Sequence, residues 1–391
     1  MATDTKPSCC PPSSACCAPT PPTSSCRPTE AADPAIDAAP CCGPAALMRG
    51  GTINDQVPGF QAWLSTAAGP APRISTQLSM RDHLGACTVR WGINRMRYIV
   101  PPGLYAIGNP TADAPVLVTA NYKMSYDLVR SVLSGSNVWL VVLETFGVNV
   151  WCAAGKGTFG TRELVERIEL SGLSRVVSHR VLILPLLGAP GVAAHEVLRQ
   201  TGFTVRYGPI RAADLPAYLD NGMTTTPAMR RLTFSFYERL VLVPVELVQA
   251  LKPTALALLL LFAAGILAGG MRTGATAALA WLGAVLTGVV VGPLLLPWLP
   301  GRSFAIKGAV AGGIWSLAWY LIAGGMTWSF PETAASFLAL PAVSSFYTLN
   351  FTGCTTYTSP SGVRTEMRLA LPVMAGALLL GGVLLLAGHL L

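Results

Sequence analysis

The sequence predicts an α/β domain with a mostly parallel sheet, followed by an all-α transmembrane domain of five helices. Two observations predict this. The first is where the charge lies. Charged residues make up 12 % of the 391 residues, about half the share usual in a soluble domain. Residues 253–391 hold only Arg272, Arg302, Lys307, Glu332, Arg364, Glu366 and Arg368; the other thirty-nine charges precede them. The second is an alternation of short apolar runs with helical stretches between residues 116 and 219. Together they exclude a single soluble globule and a wholly membrane-embedded transporter. The length allows about two units and a tail.

Residues 1–46 are rich in Pro, Ser, Thr, Ala and Cys and have almost no large apolar side chain. Such a segment cannot offset its ordering entropy and is expected to be disordered. It has no apolar h-region, so it does not read as a secretory signal. Seven of the ten cysteines lie here: Cys9, Cys10, Cys16, Cys17, Cys26, Cys41 and Cys42. Without an export signal a disulfide framework is not expected. Paired thiols at 9–10, 16–17 and 41–42 suit soft metals, which prefer thiolate; a biased tail without a specific role is the alternative.

Residues 47–228 form the expected α/β domain. Residues 75–108 read as β structure, including Cys87–Gly92 and Arg97–Gly108. Val116–Thr119 reads as a strand, Tyr122–Leu133 as a helix, Val138–Leu143 as a buried strand and Thr161–Leu170 as a helix with Thr161 at its N-cap. Arg180–Leu186, Ala193–Thr201, Phe203–Tyr207 and Ala212–Leu219 continue the alternation, which implies a mostly parallel sheet. Ligands in such sheets sit beyond the carboxyl ends of the strands. The strand-end loops Ala120–Lys123, Glu144–Gly160 and Leu187–Val192 are therefore the places to look.

Residues 229–252 read as a juxtamembrane linker helix, and 253–391 as the membrane domain. Spans are expected at 253–271, 273–301, 308–331, 333–350 and 369–391, each near the ~20 residues a bilayer requires. Arg230, Arg231, Arg239 and Lys252 precede the first span, Arg302 and Lys307 follow the second, and Arg364 and Arg368 follow the fourth. Only Arg272 falls on the other side. The bias puts the soluble domain and N-terminus in the cytoplasm, the C-terminus outside, and the chain in the inner membrane as a multi-pass protein. Scarce intramembrane charge argues against an ion-coupled pump. No segment points to a nucleic-acid partner.

Gly155-Lys-Gly157-Thr-Phe-Gly160 fits the dinucleotide pattern GxGxxG, but it begins about a dozen residues after its strand and lacks the acid that would hold a ribose. Val150 and Gly157 break the phosphate-loop pattern around Lys156. His195-Glu196 lacks the second histidine of a zinc protease, and His83 and His179 stand alone. Cys152 is different, because it occupies a strand-end loop, follows Trp151 and precedes small residues. A free buried cysteine is the alternative reading.

The run Asn-Val-Trp-Cys-Ala-Ala-Gly-Lys-Gly-Thr-Phe-Gly-Thr at 149–161 resembles the cap-helix signature of the mercury-methylation corrinoid proteins, HgcA. Pro102–Gly108, Val118–Lys123, Asn350–Ser359 and Ser361–Val363 resemble the same family in the same order. The resemblance covers about residues 75–370. The soluble part is also similar to the corrinoid domain of the corrinoid iron–sulfur protein large subunit, which lacks the five spans and Cys152. The cysteine-rich tail goes beyond the family pattern.

The resemblance implies a Rossmann-like, corrinoid-binding domain holding a cobalamin-type corrinoid over the strand ends, capped by residues 149–156. It implies the Cys152 thiolate as lower axial ligand to cobalt and as the catalytic residue, with Val150, Trp151 and Ala153 beside it. Hg(II) has no nucleophilic lone pair, so methyl must leave cobalt as a carbanion equivalent or a radical, which an electron-rich thiolate favours; the axial ligand is a main lever on a cofactor metal. Implied partners are a ferredoxin-type iron–sulfur electron donor (HgcB-like), a methyl donor such as methyl-folate or its methyltransferase, Hg(II) and the bilayer. Cofactor contacts carried over are Thr119, Asn121, Thr145, Asn149, Lys156, Thr158, Thr161 and Gly188-Ala189-Pro190-Gly191, each also open to a reading as ordinary turn chemistry. Cys354, in a polar connection expected to face the soluble domain, is a candidate relay thiol for Hg(II); packing at a helix end is the alternative. Two other readings stand: a membrane-anchored corrinoid methyl carrier of one-carbon metabolism, and a non-enzymatic protein that binds and exports soft metals.

Overall fold

The computed structural model describes residues 57–355 and 357–390. The tail cysteines Cys9, Cys10, Cys16, Cys17, Cys41 and Cys42 lie outside the described residues. Seven strands form one sheet: β1 (Phe60–Thr66), β2 (Gly69–Ile74), β3 (Gly103–Ile107), β4 (Val116–Ala120), β5 (Val138–Leu143), β6 (Val181–Leu184) and β7 (Thr204–Tyr207). Their order is β1-β2-β3-β5-β4-β6-β7. The β1–β2 and β3–β5 pairs are antiparallel and the other four pairs parallel. Every residue of β4 and β5 is buried, as expected of parallel strands covered on both faces.

Alternate residues of these strands enter two cores. Val118, Val141 and Leu184 face a cluster containing Ala153, Phe159, Leu164 and Val197. Ala153 belongs to α3 (Val150–Lys156), Leu164 to α4 (Thr161–Leu170) and Val197 to α6 (Ala194–Thr201), with Phe159 in the turn between α3 and α4; these are numbered after α1 (Met80–Arg90) and α2 (Lys123–Val132), with the short α5 (Leu173–Val176) between α4 and α6. Leu117, Leu140 and Ile183 face the second cluster, with Tyr126 of α2 and Leu215 and Tyr218 of α7 (Leu215–Asp220). The predicted fold class is therefore the observed one.

Three local expectations are corrected. Residues 80–90 are helical, not β. Ser79 and Asp82 form a capping box, with the Ser79 backbone N–H donating to the Asp82 carboxylate at 2.9 Å, and this satisfies the first-turn donors that would otherwise be orphaned. Gly160, not Thr161, caps α4; the Thr161 hydroxyl accepts the Ala193 backbone N–H at 2.8 Å instead. The segment expected as a separate linker helix is helical only from Phe236, and it runs almost without interruption into the first span.

Among the described residues, five helices are long and apolar enough to cross a membrane: Phe236–Gly269, Met271–Leu295, Phe304–Ile322, Phe330–Cys354 and Ser361–Gly388. The last begins earlier than expected, so Arg364, Glu366 and Arg368 are helical. Glu366 earns its place there: it accepts from the Ser303 hydroxyl at 2.7 Å and the Ala305 N–H at 2.9 Å, at the start of the third span. The fourth span is rich in Ser, Thr and Pro because it is central. Half of its most apolar window is buried inside the protein, against 11 % for the first and fifth. A Cβ on Gly288, Gly308 or Gly312 would lie under 3.0 Å from Ser344, Ser345 or Pro341 of this span, a packing mode that small residues permit in membranes.

Candidate functional site

The order of the central strands reverses at β4, with β5 on one side and β6 on the other. Such a switch point opens a crevice at the carboxyl ends. A cavity of about 330 Å³ lies there, lined by Thr119 near the end of β4, Leu184 at the end of β6 and Pro185 after it, and Gly208–Ile210 after β7. Its lining includes Asn149, Val150, Trp151 and Cys152, and also Gly353 and Cys354 from the connection after the fourth span. The cavity thus joins both predicted halves of the chain, and the two thiols reach it from different elements.

The geometry of α3 follows from its sequence. The Asn149 side-chain oxygen accepts the Cys152 backbone N–H at 2.9 Å and caps the helix. Gly157, at φ +78°, ends it in the left-handed conformation that glycine adopts without cost. Ala153 and Ala154 are buried on the sheet side, which leaves Trp151 and Cys152 half-buried at the cavity. The glycine pattern at 155–160 is accounted for by this helix end and the turn after it: a Cβ on Gly160 would lie 2.5 Å from the Gly157 carbonyl.

Several carried-over contacts do other work. Asn121 and Thr145 do not line the cavity; they are buried and bonded to each other. The Asn121 oxygen accepts from the Thr145 hydroxyl at 2.9 Å and its amide donates to Glu144 at 2.6 Å. This ties the loops after β4 and β5 together and launches the chain toward α3. Lys156 is exposed, and Thr158 donates back to the Ala153 carbonyl at 3.4 Å. Gly188-Ala189-Pro190-Gly191 forms a 3₁₀ turn that seats the cap from below. A Cβ on Gly188 would lie 2.5 Å from the Phe159 ring, and one on Gly191 would lie 2.1 Å from the Phe159 carbonyl. Phe159 is fully buried there, a burial worth roughly 1.5–3 kcal/mol. Apart from the exposed Lys156, the physical reason is the same: each group is used up within the walls.

Residues that the sequence reading missed include Arg95, Leu128, Val129, Ile210, Leu215 and Leu242. Gly208-Pro209-Ile210 follows a parallel strand directly, and the strand-end rule applied to β7 would have found it. Arg95 carried no such signal, because it comes from a 3₁₀ turn outside the strand–helix alternation.

Behind the cavity lies a buried ionic cluster. Lys123 pairs with Asp82 and, at 2.5 Å, with Asp127. Arg130, fully buried, donates to Asp82 and Asp127 at 2.9 Å each. Burial disfavours the charged carboxylate of Asp82, but hydrogen bonds from Lys123 and Ser79 outweigh it and hold the group well below the usual carboxylate range. Burial likewise disfavours the Lys123 ammonium, yet bonds to Asp127 and Asp82 raise it above its ordinary value. The cluster fixes α1 against α2, the helix that supplies Leu128 and Val129 to the cavity. Among the described residues, no group of three or more His, Cys, Asp or Glu side chains is set to hold a metal ion.

An α/β domain with a thiol-bearing cavity at its switch point, continuous with five apolar helices, is the class of protein defined here. Residues 94–219 match the family described as CO dehydrogenase/acetyl-CoA synthase delta subunit, CdhD. The chain is similar to the acetyl-CoA decarbonylase/synthase complex subunit gamma of Methanopyrus kandleri, 35 % identical over 123 residues, which are 31 % of this chain and 26 % of that one. The subunit of the same name from Archaeoglobus fulgidus shows the same figures, and that of Methanocaldococcus jannaschii is 33 % identical over 124 residues, 31 % of this chain and 25 % of that one. The chain spans about a quarter of the length of these relatives.

Proposed function

We propose that this protein is a membrane-anchored corrinoid protein that passes a methyl group to an acceptor, with Cys152 as the residue whose thiolate would hold the cobalt. The observation that carries the reading is the Cys152 thiol on a capped helix, turned to an apolar cavity over the strand ends. The residues fit a broad ligand with amide edges: the walls are mostly apolar, the mouth is open, Thr119 offers a hydroxyl at one strand end and Arg95 the charge. When bound, the corrinoid supplies a cobalt that carries methyl.

The chain's own residues do the rest. Asn149 fixes the first turn of α3 and so the position of Cys152. Trp151 and Leu187 help exclude water from the thiol's surroundings, which strengthens every electrostatic interaction inside. The turn at 188–191 keeps α3 from yielding. Electrons come from a ferredoxin-type iron–sulfur protein, and methyl from a methyl-folate or its methyltransferase. The soluble domain faces the cytoplasm, by the distribution of basic residues.

The acceptor separates two readings, and each has its own support. The names of the relatives favour a carrier in one-carbon metabolism of the acetyl-CoA type, and nothing in those names concerns mercury. The Cys152 thiol in the cavity favours a soft acceptor, Hg(II), because a thiolate held to cobalt would suit transfer of methyl without cationic character, whereas a carrier delivering a methyl cation would not need it. The purified, cobalamin-loaded protein tests this. Sulfur ligation seen by electron paramagnetic resonance of the cobalt(II) form, lost in Cys152→Ala, is the expected result. Methylmercury formed from Hg(II) by the wild type and abolished in Cys152→Ala supports the mercury reading. Transfer to an acetyl-CoA synthase partner that survives Cys152→Ala supports the carrier.

A further inference from the structure

The outer face of α1 is an exposed apolar stripe. At about 100° per residue, Met80, Leu84, Cys87 and Trp91 fall on one side of the helix, across from its buried residues Asp82 and Val89. Asp82 is held inward by Lys123 and Arg130, and Gly85 is pressed to the Tyr98 ring, where a Cβ would lie 2.3 Å from the hydroxyl oxygen. The stripe runs on through Ile93 and Met96 of the turn that follows. Met80, Leu84, Trp91, Ile93 and Met96 are 47–73 % exposed, and Cys87 is exposed with them. Arg81 and Arg90 flank the stripe on its two sides, and Arg97 is exposed beyond it. One end of this surface is fixed to the membrane domain. A Cβ on Gly92 would lie 3.2 Å from a Val248 methyl, so the turn rests on the first long apolar helix. The depth of Val248 follows from charge. Lys252 and Arg272 bound an uncharged stretch of about 30 Å at 1.5 Å per residue, the thickness of the hydrocarbon layer. Val248, about one turn before Lys252, lies among the headgroups. Glu246, a little earlier still, accepts from Cys354 Sγ at 2.8 Å at the end of the fourth span.

We propose that the outer face of α1 and the turn at 91–96 are a docking surface for the anionic headgroups of the bilayer that the first helix enters. An apolar stripe edged by arginine is what an interfacial helix requires: the apolar side chains sink below the headgroups while the arginine stems reach back to them. Trp91 suits that depth, where aromatic rings collect. The charge is complementary. Asp82 is the only acid in residues 80–97, and it is spent in the buried cluster, so the charge left outside is basic. Continuity favours lipid over a soluble partner or a second copy. A bilayer is already present at the depth of Gly92, and any macromolecule seated on the stripe would have to displace it. The surface is independent of what the cavity binds, yet it steadies one of its walls. Arg95 belongs to the same turn and lines the cavity, and the ionic cluster locks α1 to α2, which supplies Leu128 and Val129.

Cys87 is a native probe of this face. The full-length chain, carrying Gln200→Cys as an exposed control thiol near the amino end of β7, is placed one copy per nanodisc. The discs are made of phosphatidylcholine alone or of an equal mixture with phosphatidylglycerol. The readout is the rate at which an uncharged, water-soluble maleimide alkylates each cysteine, followed by mass spectrometry. The anionic lipid should slow Cys87 about tenfold relative to the control thiol, since two or more arginines near such a surface each contribute about fivefold in occupancy. Arg81→Gln with Arg90→Gln should remove at least fivefold of that protection. Leu84→Asp, at an exposed position, should abolish it and leave the control thiol unchanged. Equal Cys87 rates in the two lipids overturn the proposal, as does protection that survives the double arginine variant. Cys87 open in single-copy discs but protected in two-copy discs overturns it in favour of a second copy of this chain. Cys87 open in both, and protected only after soluble cell extract is added, overturns it in favour of a protein partner.

Discussion

The cavity has two thiol-bearing walls, and they are built by opposite means. The wall carrying Cys152 is set by backbone: an Asn149 cap, a left-handed Gly157 and a turn whose glycines touch Phe159. The wall carrying Cys354 is set by side chains, namely the Cys354–Glu246 bond, the Tyr357–Leu232 bond and the rings around Phe234. Backbone-set geometry leaves a local trace in sequence, because caps and glycines stand at fixed offsets. Side-chain geometry between residues 108 positions apart leaves none. This is why the first wall was legible and the second was only suspected from its polarity.

The largest expected effect falls on the support that neither wall can replace. Arg130→Met leaves Asp82 and Asp127 facing a single cation in a buried setting, and should cost about 3–5 kcal/mol. Chemical denaturation of the detergent-solubilised protein measures it. The same cluster gives a pH dependence. Asp82 titrates lower when folded than when unfolded, so its stabilisation is complete above its unfolded pKa, near 4, and is lost as pH falls through the folded value. Wild type should lose stability progressively below pH ~4, and Asp82→Asn should flatten that limb. An unchanged acid limb in Asp82→Asn would show that the cluster is not its source.

Next comes the seat of the cap. Gly191→Val drives a side chain into the Phe159 carbonyl, and overpacking of this kind costs about 1–3 kcal/mol. Corrinoid retention on gel filtration should fall, whereas Gly353→Ala, which meets open space, should retain it. Equal loss in both would erase the difference between the walls. Removing the cap itself is milder: Asn149→Ala should cost about 1 kcal/mol and disturb the cobalt spectrum through Cys152. Tyr357→Phe is the smallest, about 0.5–1.5 kcal/mol for one hydrogen bond, and should leave the cobalt spectrum unchanged. A spectral change there would mean that the membrane turn also positions the cofactor.

The pattern of what the sequence disclosed follows the same physics. β4 and β5 were readable as apolar runs because both faces are covered. Residues 80–90 were misread because their helix is held by a capping box and an ionic cluster, not by an apolar stripe; Asp82 and Val89 are its buried residues. The fourth span carries Ser344, Ser345 and Thr348 because it faces other helices, whereas hydropathy scores a helix against lipid. In the candidate site, Asn149 through Cys152 could be placed from the strand-end rule and the motif. Asn121 and Thr145 could not be told from ligands, because a buried amide spent inside a wall and one offered to a cofactor have the same sequence.

The dependence of the cavity on Cys354 also sets an order of events. Glu246 waits 108 residues for its partner, and the thiol arrives only at the end of the fourth span. Throughout the synthesis of the α/β domain and the first three spans, the crevice over β4 and β6 lacks its membrane-side wall. During that period the crevice is open on the side that the turn later covers. Once the turn at 351–354 docks, that side of the crevice is closed by contacts that reach from Leu232 to Tyr357.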